Sequence, residues 1–123
     1  MTTHRQELGK TGEDLAVREL TRRGYAILER RYRTRYGEID IVADDKGTIV
    51  FVEVKARASG QFGLAVEAIT AFKQRRLAAM AVDYLARRRR CDRPCRFDVV
   101  AIDQAEGVSP LVTVYAAAFD ANG

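Results

Sequence analysis

The chain has 123 residues, 47% of them hydrophobic and 31% charged. That balance fits a single globular domain over residues 1–123 and excludes disordered or fibrous chains. Its formal net charge is +4, with 17 Arg against 4 Lys. A planar guanidinium grips phosphate in two places, so a basic Arg-rich domain suits nucleic acid; the plainer alternative is a GC-rich genome that favours Arg codons.

The first predicted element is a helix over about Thr3 to Arg23. Thr3 and Gln6 resemble a capping box, Gly24 supplies a stop, and Glu13, Ala16, Val17 and Leu20 recur at helical spacing. A strand follows from Tyr25 to about Arg33. Tyr36 to Ala43 and Thr48 to Ala56 alternate apolar and polar residues around Asp44-Asp45-Lys46-Gly47, the pattern of a β-hairpin. A loop with Ser59-Gly60 and Gly63 leads to a long helix over about Ala65 to Arg88, striped by Val66, Ile69, Lys73, Leu77, Met80 and Tyr84. The loop Arg90 to Pro94 precedes two Val-rich strands, Arg96 to Ile102 and Pro110 to Ala118. The fold class expected is α/β: a central mixed sheet flanked by helices, in the order α-β-β-β-α-β-β.

Two cysteines, Cys91 and Cys95, and one histidine, His4, are too few for a zinc site or a disulfide scaffold, so two reduced thiols are expected. No apolar run approaches the ~18 residues of a membrane helix. The N-terminal residues have no apolar core of a signal peptide. A cytoplasmic protein with no membrane partner is the expectation.

The hairpin carries the chemistry. With Lys46-Gly47 as a two-residue loop, Asp40 stands opposite Glu53 and Glu38 opposite Lys55. Residues two apart share a strand face. Glu38, Asp40, Glu53 and Lys55 therefore share one face, and Ile39, Ile41, Val50, Val52 and Val54 the other. Opposed carboxylates destabilise a strand pair, and a cation between them turns that cost into a site. Two carboxylates suit Mg²⁺ or Mn²⁺, which keeps several waters, and Lys55 is placed to orient or deprotonate one of them. A solvated polar face is the ordinary alternative. Glu13 lies on an apolar helix stripe, where it either points at the metal or reaches solvent from the edge. Lys73 is read as inward-facing, to reach a phosphate or to bury its stem and expose its head.

Gly12-Glu13-Asp14-Leu15-Ala16, Gly24-Tyr25, Tyr36-Gly37-Glu38-Ile39-Asp40-Ile41-Val42-Ala43, Val50-Phe51-Val52-Glu53-Val54-Lys55-Ala56-Arg57, Lys73 and Arg96-Phe97-Asp98-Val99-Val100 together resemble the YraN-type family of small bacterial proteins. That family is similar to archaeal Holliday-junction resolvases and the restriction-endonuclease-like superfamily, whose signature is PD-(D/E)xK. The resemblance implies a restriction-endonuclease-like core. It makes Asp40 the signature aspartate, Glu53 its acidic partner, Lys55 its lysine and Glu13 a further metal ligand; Ile39 replaces the proline. Glu38, Lys73 and Arg57 become outer contacts to metal or phosphate. The implied function is a metal-dependent endonuclease acting on structured or branched DNA, with Arg30, Arg31, Arg33, Arg35 and the run Arg87 to Arg90 on phosphates. The Arg87 run has a second reading, as cations favoured at a helix C-terminus. A homodimer is expected, because a four-way junction offers two equivalent strands. The alternative is a non-catalytic nucleic-acid-binding module of the same fold.

Overall fold

The computed structural model describes residues 4–58, 70–104 and 107–119. Helix α1 spans His4–Arg22, β1 Ala26–Thr34, β2 Gly37–Asp45, β3 Thr48–Ala58, α2 Ala71–Arg87, β4 Cys95–Gln104 and β5 Leu111–Phe119. One five-stranded sheet takes the strands in sequence order, β1 to β5. Three contacts are antiparallel, and β3 and β4 run parallel. Parallel neighbours need a long crossover, and α2 lies within it. The α/β class with a mixed central sheet, and the element order, are as the sequence predicts.

The helices cover opposite faces of the sheet. Along β3, Ile49 and Phe51 pack with Leu77, Met80, Ala81 and Tyr84 of α2. Their alternate neighbours Val50 and Val52 pack with Ala16 and Leu20 of α1. Both faces near the hairpin turn are therefore core. This corrects the expectation of one apolar and one polar hairpin face. The α2 crossover buries the second face, and only the far end of the hairpin stays polar.

The hairpin closes at its turn as expected, but its ladder stops short of the expected Asp40–Glu53 and Glu38–Lys55 pairs. Asp45 pairs with Thr48, and the register runs back to Ile41 opposite Val52. Lys46 and Gly47 both have positive φ, at 50° and 97°. That backbone matches the twist of a two-residue hairpin, and the Asp44 side chain accepts from the Gly47 N–H at 2.8 Å.

Helix α2 begins at Ala71, with Thr70 as its cap: the Thr70 side chain accepts from the Lys73 N–H. The helix start is thus later than the expected Ala65. Val66 and Ile69, the loop glycines Gly60 and Gly63, Ser59, and the Thr3 cap lie outside the described residues. Leu77, Met80 and Tyr84 of the expected stripe are buried, whereas Lys73 is exposed, one turn beyond the end of the core.

Ile39 is a second correction. It packs on the α2 side with Tyr32 and Val42, whereas Ile41 packs on the α1 side. Simple alternation would put Ile39 and Ile41 together. The break faces Arg31 of β1, a non-glycine residue at φ 53°. That left-handed residue lets consecutive Arg30 and Arg31 reach the same partner, Glu13, at 3.0 and 3.2 Å.

Candidate functional site

The sheet splits where β2 leaves β3. The β2–β3 ladder ends at Ile41–Val52, while residues 37–39 of β2 stay paired with β1 and residues 53–58 of β3 with β4. Asp40 and Glu53 are the next residues on the two sides of this fork. Asp40 fills the gap itself: its carboxylate accepts from the Val54 N–H at 2.8 Å, standing in for the missing strand carbonyl.

Both acids are half-buried, and both hold their protons abnormally well. Burial pushes the Asp40 carboxyl up to about 6, with the Glu13 and Glu38 charges adding to it and the Val54 N–H opposing. Burial likewise pushes Glu53 up to about 7, reinforced by the Asp40 charge and moderated by Lys73 and Lys55. The Asp40 charge disfavours ionisation of Glu53, whereas a hydrogen bond from Glu53 favours the ionised Asp40, so the two titrate as a pair.

The remaining predicted residues surround this pair unequally. Lys55 is two residues along β3 from Glu53, half-buried, and close enough to favour its charged form. Glu13 is buried and influences Asp40, yet both its oxygens are bound by Arg30 and Arg31. Exposed Glu38 lies 3.4 Å from Arg33. Arg57 reaches the adjacent strand, where Asp103 accepts two hydrogen bonds at 2.8 and 3.0 Å. Among the described residues, no group of three or more His, Cys, Asp or Glu side chains is gathered to hold a metal ion.

A cavity of about 100 Å³ opens beside the fork. Glu38 and Glu53 line one wall, and Lys73, Arg76, Leu77 and Met80 of α2 line the other. Arg76 escaped the sequence reading. Its signal was its spacing, three residues after Lys73 and so on the same helix side. Gly37 makes room for it. A Cβ built there would lie 3.4 Å from an Arg76 guanidinium nitrogen, and Gly37 itself sits at φ 135°. Gly37→Ala is expected to destabilise the fold by about 1–3 kcal/mol from backbone strain, measured as a lower urea midpoint.

Several arginines expected on phosphates are engaged within the fold. Arg30 binds Glu13 and Asp14, Arg31 binds Glu13, and Arg88 binds Glu29 through two hydrogen bonds. Arg87 pairs with Asp83, and Arg35 donates to the Tyr36 hydroxyl at 2.7 Å. Cys91 and Cys95 are free and exposed. No helix among the described residues is long and apolar enough to cross a membrane.

Residues 12–102 match the model of a family described as "Uncharacterised protein family UPF0102". A "UPF0102 protein" of Geobacter metallireducens is 53% identical over 102 residues, covering 83% of this chain and 84% of that one. A relative with the same description from Symbiobacterium thermophilum is 50% identical over 98 residues, covering 80% and 83%. Another from Anaeromyxobacter dehalogenans is 44% identical over 119 residues, covering 97% and 88%.

Proposed function

The chain belongs to the UPF0102 family, and we propose that this member hydrolyses phosphodiester bonds in structured or branched DNA, with a divalent cation held at the sheet fork. The observation that carries this reading is the Asp40–Glu53 pair. Two adjoining half-buried carboxyls, each held back from ionising chiefly by burial, form a hard oxygen donor set that a cation would relieve. Mg²⁺ or Mn²⁺ fits such a set, because these ions accept one or two protein carboxylates and keep water in the other positions. Asp40 and Glu53 would hold the ion, with Glu13 and Glu38 as neighbours restrained by arginines.

When bound, the ion supplies Lewis-acid stabilisation of a phosphoryl oxygen and makes water more acidic. The side chains do the positioning. Lys55 shares its strand face with Glu53 and would orient the attacking water in line with the scissile bond. Lys73 and Arg76, across the cavity, would hold the charge of the phosphate. A homodimer would present two such forks to the two equivalent strands of a four-way junction.

A second reading, a non-catalytic nucleic-acid-binding module, draws on the engagement of Glu13 by Arg30 and Arg31, which leaves two carboxylates at the fork. One experiment separates the two. The protein is incubated with four-way junction, flap and linear DNA in Mg²⁺, Mn²⁺ or EDTA, beside Asp40→Ala and Lys55→Ala. The expected result is metal-dependent cutting that each substitution lowers at least about a hundredfold. Binding without cutting in every condition sinks the nuclease reading. Cutting that survives Asp40→Ala places the chemistry elsewhere.

A further inference from the structure

We propose that Phe72, Lys73 and Arg76 form a stacking platform that seats an unpaired nucleotide beside the fork: a base lies on the Phe72 ring, and its phosphate is held by the two cations. The proposal deepens the preceding reading and rests on its premise that the fork handles nucleic acid.

Phe72 is 62% exposed. The buried face of α2 is made by Leu77, Met80, Ala81 and Tyr84, so the ring is not part of the core. A single exposed apolar residue is ordinary on any surface. Phe72 differs in its neighbours. The Arg76 guanidinium carbon lies 5.8 Å from the ring centroid. Arg76 and Lys73 also wall the cavity that contains Glu53. An aromatic face and two cations thus lie within about one turn of helix, and Glu53 faces the cations across the cavity.

These cations also stand outside the ion pairs of the described residues. Arg30, Arg31, Arg57, Arg88 and Arg96 each have a carboxylate partner. Among the described residues, Lys73, Arg75 and Arg76 form no ion pair. Of these, Lys73 and Arg76 stand near the start of α2 on the wall of the cavity beside the fork. A cationic groove with an exposed ring is the chemistry of single-strand binding, since every base has a π-face to stack. Bases within a continuous duplex are already stacked on their neighbours. The platform therefore favours DNA whose bases are unpaired next to the bound phosphate, as at a flap or a branch.

The chain contains no tryptophan. Phe72→Trp therefore introduces a single fluorescent reporter at the platform. The variant is titrated in EDTA with an oligothymidylate of about 15 nucleotides and with a blunt duplex. Quenching of the indole emission by the single strand and not by the duplex is expected. Phe72→Ala is expected to weaken oligothymidylate binding about tenfold or more, with Phe72→Trp restoring it. Arg76→Ala is expected to weaken binding and to flatten its salt dependence. Unchanged affinity in Phe72→Ala, or equal quenching by duplex, overturns the platform. The EDTA condition keeps the two readings apart: quenching without cleavage in Mg²⁺ removes only the nuclease, and cleavage without quenching removes only the platform.

Discussion

Glu53→Gln is expected to give a protein more stable than the parent in EDTA at pH 8, yet unable to cut DNA. The neutral amide keeps the size of the side chain and removes one charge from the acidic pair. In the folded chain Glu53 is pushed up to about 7 from an ordinary 4.5, first by burial and then by Asp40. At pH 8 both carboxyls are largely ionised, so the metal-free fold carries their mutual repulsion and the cost of burying charge. One pKa step of this kind corresponds to about 1.4 kcal/mol. Because the pair shares its protons and Lys55 loses a partner, a gain of about 2 kcal/mol, or roughly 5–10 °C in Tm, is the expected size. Removing an oxygen ligand and its charge should lower cleavage at least about a hundredfold. Stability and activity then move in opposite directions, as they do where a site holds strain for function.

The pH dependence has a definite sign. An acid whose pKa rises on folding binds its proton more tightly in the native state. Its stabilising contribution is complete below the unfolded values near 4 and is lost as pH rises through about 6 and 7. The parent in EDTA should therefore lose stability as pH rises from the unfolded values, 3.8 and 4.5, through the folded ones, about 6 and about 7. Glu53→Gln should flatten that slope. Mg²⁺ should restore stability to the parent increasingly as pH rises, because only the ionised pair binds it. Scanning calorimetry across this range checks all three curves. A parent whose Tm is flat with pH, and indifferent to Mg²⁺ at pH 8, would show that the two carboxyls are not a metal-binding pair.

The hairpin was legible in the sequence because its information is local. Lys46-Gly47 fixes the turn, and the turn fixes the pairing of Ile41 with Val52. That places Asp40 and Glu53 together without knowledge of the rest of the fold. What stayed hidden depends on elements far apart in the chain. Val42, Ile49 and Phe51 became core because α2 returns across that face, which no strand period reveals. Ile39 changed sides because strands β1 and β2 break their alternation at Arg31 and Asp40, and an arginine gives no sequence warning of positive φ. Lys73 fits the helical stripe by spacing but stands past the edge of the sheet's core, where a stripe no longer means burial. Glu13 was legible as an acid on an apolar face. Its arginine partners were not, since they meet it only through that same irregular strand.

Asp98→Ala is expected to be the most damaging single substitution to the fold, while leaving the chemistry of the folded fraction intact. Asp98 belongs to the Arg96-Phe97-Asp98 segment, which also carries the family resemblance, so an acidic site role is the natural rival. The structure puts it on the other face of the sheet. Phe97 and Val99 pack on the α2 side with Phe51, and Asp98 lies between them, pointing to the α1 side with Tyr25. It is fully buried. Tyr25 donates its hydroxyl to one oxygen at 3.0 Å, while Arg96 and the Ala117 N–H donate to the other at 3.0 and 2.9 Å. Arg96 also donates to the Tyr25 hydroxyl and to Asp45. One carboxylate thus ties the entry to β1, the hairpin end and the two C-terminal strands. Alanine leaves a part-buried guanidinium with one carboxylate fewer, and a tyrosine hydroxyl and a backbone N–H without their acceptor. Breaking such a network costs about 3–5 kcal/mol, a large share of a typical domain's total stability. Asp98→Asn keeps the shape and part of the bonding and should lose about half as much. Urea midpoints measure the loss, and cleavage per folded molecule at low temperature measures the site. A variant that keeps its midpoint and loses cleavage would move Asp98 into the active centre and the fork's chemistry to both faces of the sheet.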